Sequence, residues 1–163
     1  MSELLGHYID GHIITNKGGE CQAIFNPAIG EAVRNVVFAD AQIVDQAVVS
    51  AQAAFSAWAS TPVSRRVNIL FKFRQLLEQH IEEIAALVTE EHGKTLADAR
   101  ASIMRGIEIV EVSCGIANQL QGTFSANVSR QVDCYTLRQP LGVCVGVSPF
   151  NFPVMIPLWL AVP

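Results

Sequence analysis

The chain has 163 residues, half of them apolar and 16% charged, with a net charge of −4. Globular chains carry about a quarter charged residues, so this one is expected to bury much of its surface against a partner or further sequence. No basic run or stripe exists, which sets nucleic acid aside, and MSELLGHYID has neither the basic and apolar regions of a secretory leader nor the arginines of a transit peptide.

Residues 8–38 read as strands. Tyr8 to Ile14 alternates around Asp10-Gly11, a hairpin signal. Cys21 to Phe25 and Val33 to Phe38 flank the turn residues Asn26-Pro27 and Gly30, which predicts a second hairpin. At Asp40, a good N-cap, the period changes from 2 to 3.6. Val44, Val48, Ala51, Phe55 and Trp58 then share one helical face, which places Phe55 and Trp58 in the core. Thr61 is expected to cap a second helix with Pro62 at its first position and a stripe of Val63, Val67, Leu70, Phe73 or Arg74, and Leu77. A third helix over about 81–92 should end at Gly93. Thr95 and Asp98 resemble a capping box opening a long helix. That helix carries Ile103, Ile107, Val110, Cys114 and Ala117 and should end near Gly122, with Gly106 and Gly115 inside it where another element approaches.

Beyond Gly122 the pattern predicts one more hairpin, with a β-like stretch from Gln131 to Gln139. Leu141 to Val147 is a continuous apolar run, as expected of a strand buried on both faces of a parallel sheet. Ser148 to Pro153 is a turn, and a helix starts after Val154. Residues 141–163 carry no charge, but prolines 149, 153, 157 and 163 argue against a membrane span. The sequence stops within apolar residues, with no cap or polar tail, so a truncated chain is expected.

Gly93-Lys94-Thr95 is set aside as a phosphate loop, because Val88 stands where that motif needs glycine, and Lys94 is read as an exposed loop lysine. His7, His12, His80 and His92 have no second ligand placed for a metal or a triad. Cys21, Cys114, Cys134 and Cys144 show no paired spacing, so reduced thiols in a cytoplasmic protein are expected. Arg105 lies off the apolar stripe of its helix. It is either a surface arginine beside Glu108 or a clamp for a carboxylate, which suits a planar, permanently charged guanidinium. Asn151 follows a strand-like run in a tight turn. It either bonds its own backbone or offers its amide to a developing oxyanion.

The hairpin Phe-Asn-Pro-x-x-Gly-Glu at 25–31, Glu-x-x-Gly-Lys-Thr at 90–95 and Pro-Leu-Gly-Val-x-x-Gly-x-x-Pro-Phe-Asn-Phe-Pro at 140–153 together resemble the aldehyde dehydrogenase family. Thr95-Leu-Ala-Asp-Ala, Arg105-Gly-Ile-Glu-Ile-Val-Glu and Met155-Ile-Pro-Leu-Trp resemble its CoA-acylating methylmalonate-semialdehyde branch. The resemblance implies an α/β fold, the N-terminal part of an incomplete Rossmann-like NAD-binding domain. Residues 1–122 would be its hairpins and helical layer, 123–140 a β segment for oligomerisation, and 141–163 the first strand and following helix. It also implies oxidation of methylmalonate or malonate semialdehyde with NAD, CoA as acyl acceptor, loss of CO2 and a homo-oligomer. By the same resemblance Asn151 matches an oxyanion-hole asparagine, Ser148 and Phe150 line the NAD site, Arg105 receives the substrate carboxylate and Trp159 lines the substrate tunnel. None of the four cysteines stands in the motif of the family's nucleophile, so this stretch alone is expected to be inactive. Two rivals stand beside this reading: a semialdehyde dehydrogenase that deacylates with water, separated by CoA dependence, and a non-enzymatic interaction module.

Overall fold

The computed structural model describes residues 3–15 and 19–163; Met1 and Ser2, part of the leader reading, lie outside them. The chain begins with five short strands: β1 (Glu3–Leu5), β2 (His7–Ile9), β3 (His12–Ile14), β4 (Cys21–Asn26) and β5 (Glu31–Val37). The two hairpins expected from the sequence form. β2 and β3 pair around Asp10 and Gly11, which both take positive φ, at 51° and 77°. β4 pairs with β5 across a turn in which the Asn26 side chain accepts from the Ala28 N–H at 2.9 Å. β1, unread in the sequence, adds in parallel to the far edge of β5. Three residues paired with a strand about thirty positions away leave no local signature.

Five helices complete the chain: α1 (Ala41–Ser60), α2 (Val63–Gln79), α3 (Ile81–His92), α4 (Leu96–Cys114) and α5 (Met155–Ala161), with the hairpin β6 (Phe124–Ser129) and β7 (Val132–Tyr135) before the last. α4 is central. Its Ala99, Ile103, Ile107 and Val110 meet Leu77 of α2, Ala85 and Val88 of α3 and Leu158 of α5. Its start is held as the sequence indicates: Thr95 Oγ1 accepts from the Asp98 N–H at 3.2 Å, and the hydroxyl bonds the Asp98 carboxylate at 2.8 Å. Gly106 faces α5 so closely that a Cβ there would lie 2.6 Å from Leu158 Cδ1. Arg34 of β5 ties the sheet to the helices through Glu90 at 2.9 Å and Glu91 at 3.1 Å, and reaches Glu3 of β1 at 3.3 Å. The Glu90 hydrogen bond leads in raising the Arg34 pKa above its ordinary value.

Several expectations change. No residue of α1 is buried, and Trp58 is exposed with its ring under the Arg66 guanidinium, 5.9 Å away, while Phe55 is only half-buried. The stripe exists, but a periodic pattern specifies an apolar face without supplying what covers it. Thr61 does not cap α2. Its hydroxyl donates to the Ala57 carbonyl at 2.8 Å and so closes α1, leaving Pro62 as the N-cap. α4 ends at Cys114 with Gly115 as its C-cap, and a 3-10 turn (Ile116–Asn118) follows, so Ala117 lies outside the helix. The β-like stretch from Gln131 shortens to β7. Residues 141–147 form no strand among the described residues and are largely exposed, because a strand exists only when paired with a neighbour's backbone and no described strand pairs with them. No helix among the described residues is long and apolar enough to cross a membrane.

Candidate functional site

The α3–α4 junction and the turn before α5 meet, although 57 residues separate Lys94 from Asn151. Gly93 ends α3 with φ at 77°, a conformation an L side chain rarely adopts, and a Cβ there would stand 2.8 Å from Pro27 Cγ. The chain leaves that glycine so that Lys94 points at the turn. Lys94 Nζ donates to the Asn151 carbonyl at 2.9 Å and sits 4.4 Å from the centroid of the Phe152 ring. Lys94 is thus half-buried and engaged, not the exposed loop lysine expected from the sequence. On the other side of the turn, His92 stacks on Phe150 with ring centroids 5.8 Å apart and planes 24° from parallel. Asn151 itself is exposed, with its carbonyl tied and, among the described residues, no hydrogen bond on its side-chain amide.

Lys94, Asp98, Ser102, Arg105 and Phe152 line one cleft. Arg105 is exposed there and forms no ion pair with Glu108 among the described residues. Glu82 instead belongs to Arg100, which donates to both its oxygens at 2.8 and 2.6 Å and thereby lowers the Glu82 pKa below the usual carboxylate range. Arg105 thus brings a guanidinium in no ion pair among the described residues to a cleft that Asp98 and Lys94 also line. Trp159 of α5 reaches the same helix: its indole Nε1 donates to the Arg105 carbonyl at 3.3 Å. The close α4–α5 approach at Gly106, one residue on, brings the indole within range.

Three of the residues singled out in the sequence are therefore neighbours: Arg105 and Trp159 directly, and Asn151 through Lys94. Of the other two, Phe150 precedes Asn151 in the same turn and Ser148 faces elsewhere. Phe150 is almost fully exposed beyond its contact with His92. Ser148 borders a separate recess with Cys144, Gly146, Pro157 and Leu160, which contains no charged side chain. Lys94 and Phe152 were missed as site residues. Gly93-Lys94-Thr95 stands within the motif at 90–95, but no local spacing shows that Lys94 reaches a turn 57 residues away. Of the cysteines, Cys114 has its thiol pKa raised, chiefly by burial, which disfavours the thiolate. None of the four lines the cleft that holds Arg105.

Known proteins share this arrangement of sequence and fold. The family model described as the aldehyde dehydrogenase family matches residues 13–163, and the chain belongs to that family. It is 44% identical over 156 residues to a malonate-semialdehyde dehydrogenase of Pseudomonas aeruginosa, which covers 96% of this chain and 31% of that protein. It is 41% identical over 153 residues to the acylating mitochondrial methylmalonate-semialdehyde/malonate-semialdehyde dehydrogenase of Mus musculus, covering 94% of this chain and 29% of that one. The structure superposes on a methylmalonate-semialdehyde dehydrogenase of Oceanimonas doudoroffii with a TM-score of 0.93 and 45% identity, over 98% of this chain and 32% of the other. A Sinorhizobium meliloti protein assigned to the same enzyme and complexed with NAD gives a TM-score of 0.94 at 42% identity, again over 98% and 32%. The chain spans about a third of the length of these relatives and matches the N-terminal part of their α/β fold.

Proposed function

We propose that this aldehyde dehydrogenase chain supplies one wall of the site in an enzyme oxidising methylmalonate or malonate semialdehyde, with NAD as hydride acceptor and CoA as acyl acceptor. Propionyl-CoA or acetyl-CoA and CO2 are the products. The observation that supports the reading is that Trp159 bonds the Arg105 backbone, while Lys94, which lines one cleft with Arg105, bonds the Asn151 turn, in a chain similar to enzymes named for these substrates. Each residue has a physical task. Arg105, free of a carboxylate partner, binds the acid end of the semialdehyde and so orients the aldehyde end. Trp159, fixed to the Arg105 backbone, walls the substrate path. The Asn151 amide donates to the oxygen that gains charge when a thiolate attacks the carbonyl. That thiolate comes from outside these 163 residues, so the stretch alone performs no turnover.

NAD, when bound, would supply the hydride acceptor. The recess beside Ser148 fits such a group in one respect: among the described residues no acidic side chain lines it, so no side chain there repels an anionic dinucleotide. Ser148 would offer a hydroxyl and Phe150 an exposed ring face. Residues 1–122 and 141–163 would belong to the NAD-binding domain, with 141–147 its first strand once neighbouring strands lie beside it. The exposed hairpin within 123–140 would serve assembly into a homo-oligomer.

The test is an assay of the complete polypeptide carrying this sequence, with malonate semialdehyde, NAD and CoA. The expected result is NADH formation with acetyl-CoA as product. Free acid formed equally fast without CoA would favour deacylation by water, and no NADH from either semialdehyde would overturn the reading. Arg105→Leu should raise the KM for the semialdehyde by about tenfold or more, since a charge-assisted bond contributes about 1.5–3 kcal/mol. An unchanged KM would remove Arg105 from the substrate site.

A further inference from the structure

We infer that Lys94 is a positioning residue for the reaction, holding Asn151 from behind so that its amide faces the developing oxyanion; this rests on the role proposed for Asn151. Three consecutive residues of the turn are tied to two residues of the α3–α4 junction, His92 and Lys94. Phe150 stacks on His92, the Asn151 carbonyl accepts from Lys94 Nζ, and the Phe152 ring lies under the same ammonium. Gly93, which no other residue can replace without strain and a clash with Pro27, sets the direction from which Lys94 arrives. A peptide plane held at its oxygen cannot rotate, and with flanking rings held on both sides the backbone of residue 151 is fixed. The side-chain amide is then the one part of Asn151 left to act. An oxyanion donor is effective in proportion to its prior orientation, because a donor that must reorient loses much of the stabilisation it offers. The ammonium also carries a positive charge to the rim of the cleft, but its direct bond goes to the Asn151 carbonyl, so its effect on the reaction runs through the asparagine.

A double-mutant cycle in the complete polypeptide tests this. Asn151→Ala is expected to lower kcat by about 100-fold or more, the range for removing an oxyanion donor. Lys94→Met should lower kcat by roughly tenfold while leaving the KM values for semialdehyde and NAD within about twofold, and Lys94→Arg, which keeps a donor and a cation, should recover most of it. In the Asn151→Ala background, Lys94→Met should have little further effect, because neighbours acting as a unit are not additive. Should Lys94→Met fail to fold, Lys94→Gln replaces it in the cycle. An unchanged kcat in Asn151→Ala would overturn the oxyanion reading itself. A loss in Asn151→Ala with full activity in the Lys94 variants would overturn the positioning role alone. So would a Lys94 effect that multiplies undiminished onto Asn151→Ala, or one that falls on KM.

Discussion

Helix α4 and the run 141–147 are both dense in apolar residues, yet Ile103 and Val110 are 0% exposed while Val145 and Val147 are 85% and 87% exposed. The contrast separates two kinds of local sequence. A helix satisfies its own backbone hydrogen bonds, so α4 needs only side chains around it, and α2, α3 and α5 provide them. A buried strand needs neighbouring backbones on both edges before its side chains can be covered, and none of the described strands lies beside 141–147. The same apolar content therefore forms a packed core in one place and an open surface in the other.

Four substitutions sharpen this comparison, each read as a shift in urea unfolding followed by helical signal. Ile103→Ala removes a fully buried side chain at the centre of the helical layer and should cost about 2–5 kcal/mol. A loss below about 1 kcal/mol would place the core elsewhere. Gly106→Ala sets two effects against each other. Helix propensity alone favours alanine by about 1 kcal/mol, while overpacking against buried Leu158 costs about 1–3 kcal/mol. Because Leu158 is itself buried and the Met155 Cα lies 3.4 Å from the added Cβ, the clash should win and the net change should be a loss of about 1 kcal/mol. A gain in stability would show that α5 moves aside freely. Thr95→Ala deletes the N-cap of α4 and should lose about 1 kcal/mol, with Thr95→Ser restoring most of it. Val145→Thr, on the open run, should change stability by no more than about 0.5 kcal/mol. A loss as large as that of Ile103→Ala would mean that the run is covered after all.

The glycines show how far local pattern reaches. Gly93 and Gly106 were singled out as a helix stop and a point of close approach, and both are so used, because φ and side-chain volume are properties of single positions. Gly115, expected within α4, instead caps it. The apolar periodicity runs on to Ala117, but glycine at 115, about 1 kcal/mol worse than alanine in a helix interior, lets the helix close there. Thr61 shows the same ambiguity at a boundary: its hydroxyl can donate to a carbonyl of the helix before it or accept from an N–H of the one after, and here it donates to the Ala57 carbonyl.

By itself the sequence determined the hairpins, the helical periods, the Thr95–Asp98 cap and the residue types of the site, since all of these depend on neighbours within a few positions. Family membership was legible for the same reason, in short motifs in a fixed order. Only the tertiary structure decided which apolar faces are covered, that β1 joins β5, and that the junction after α3 grips the turn around Asn151. Those facts depend on contacts between segments thirty or more residues apart, and no local pattern encodes which remote partner a lysine or a strand edge will meet.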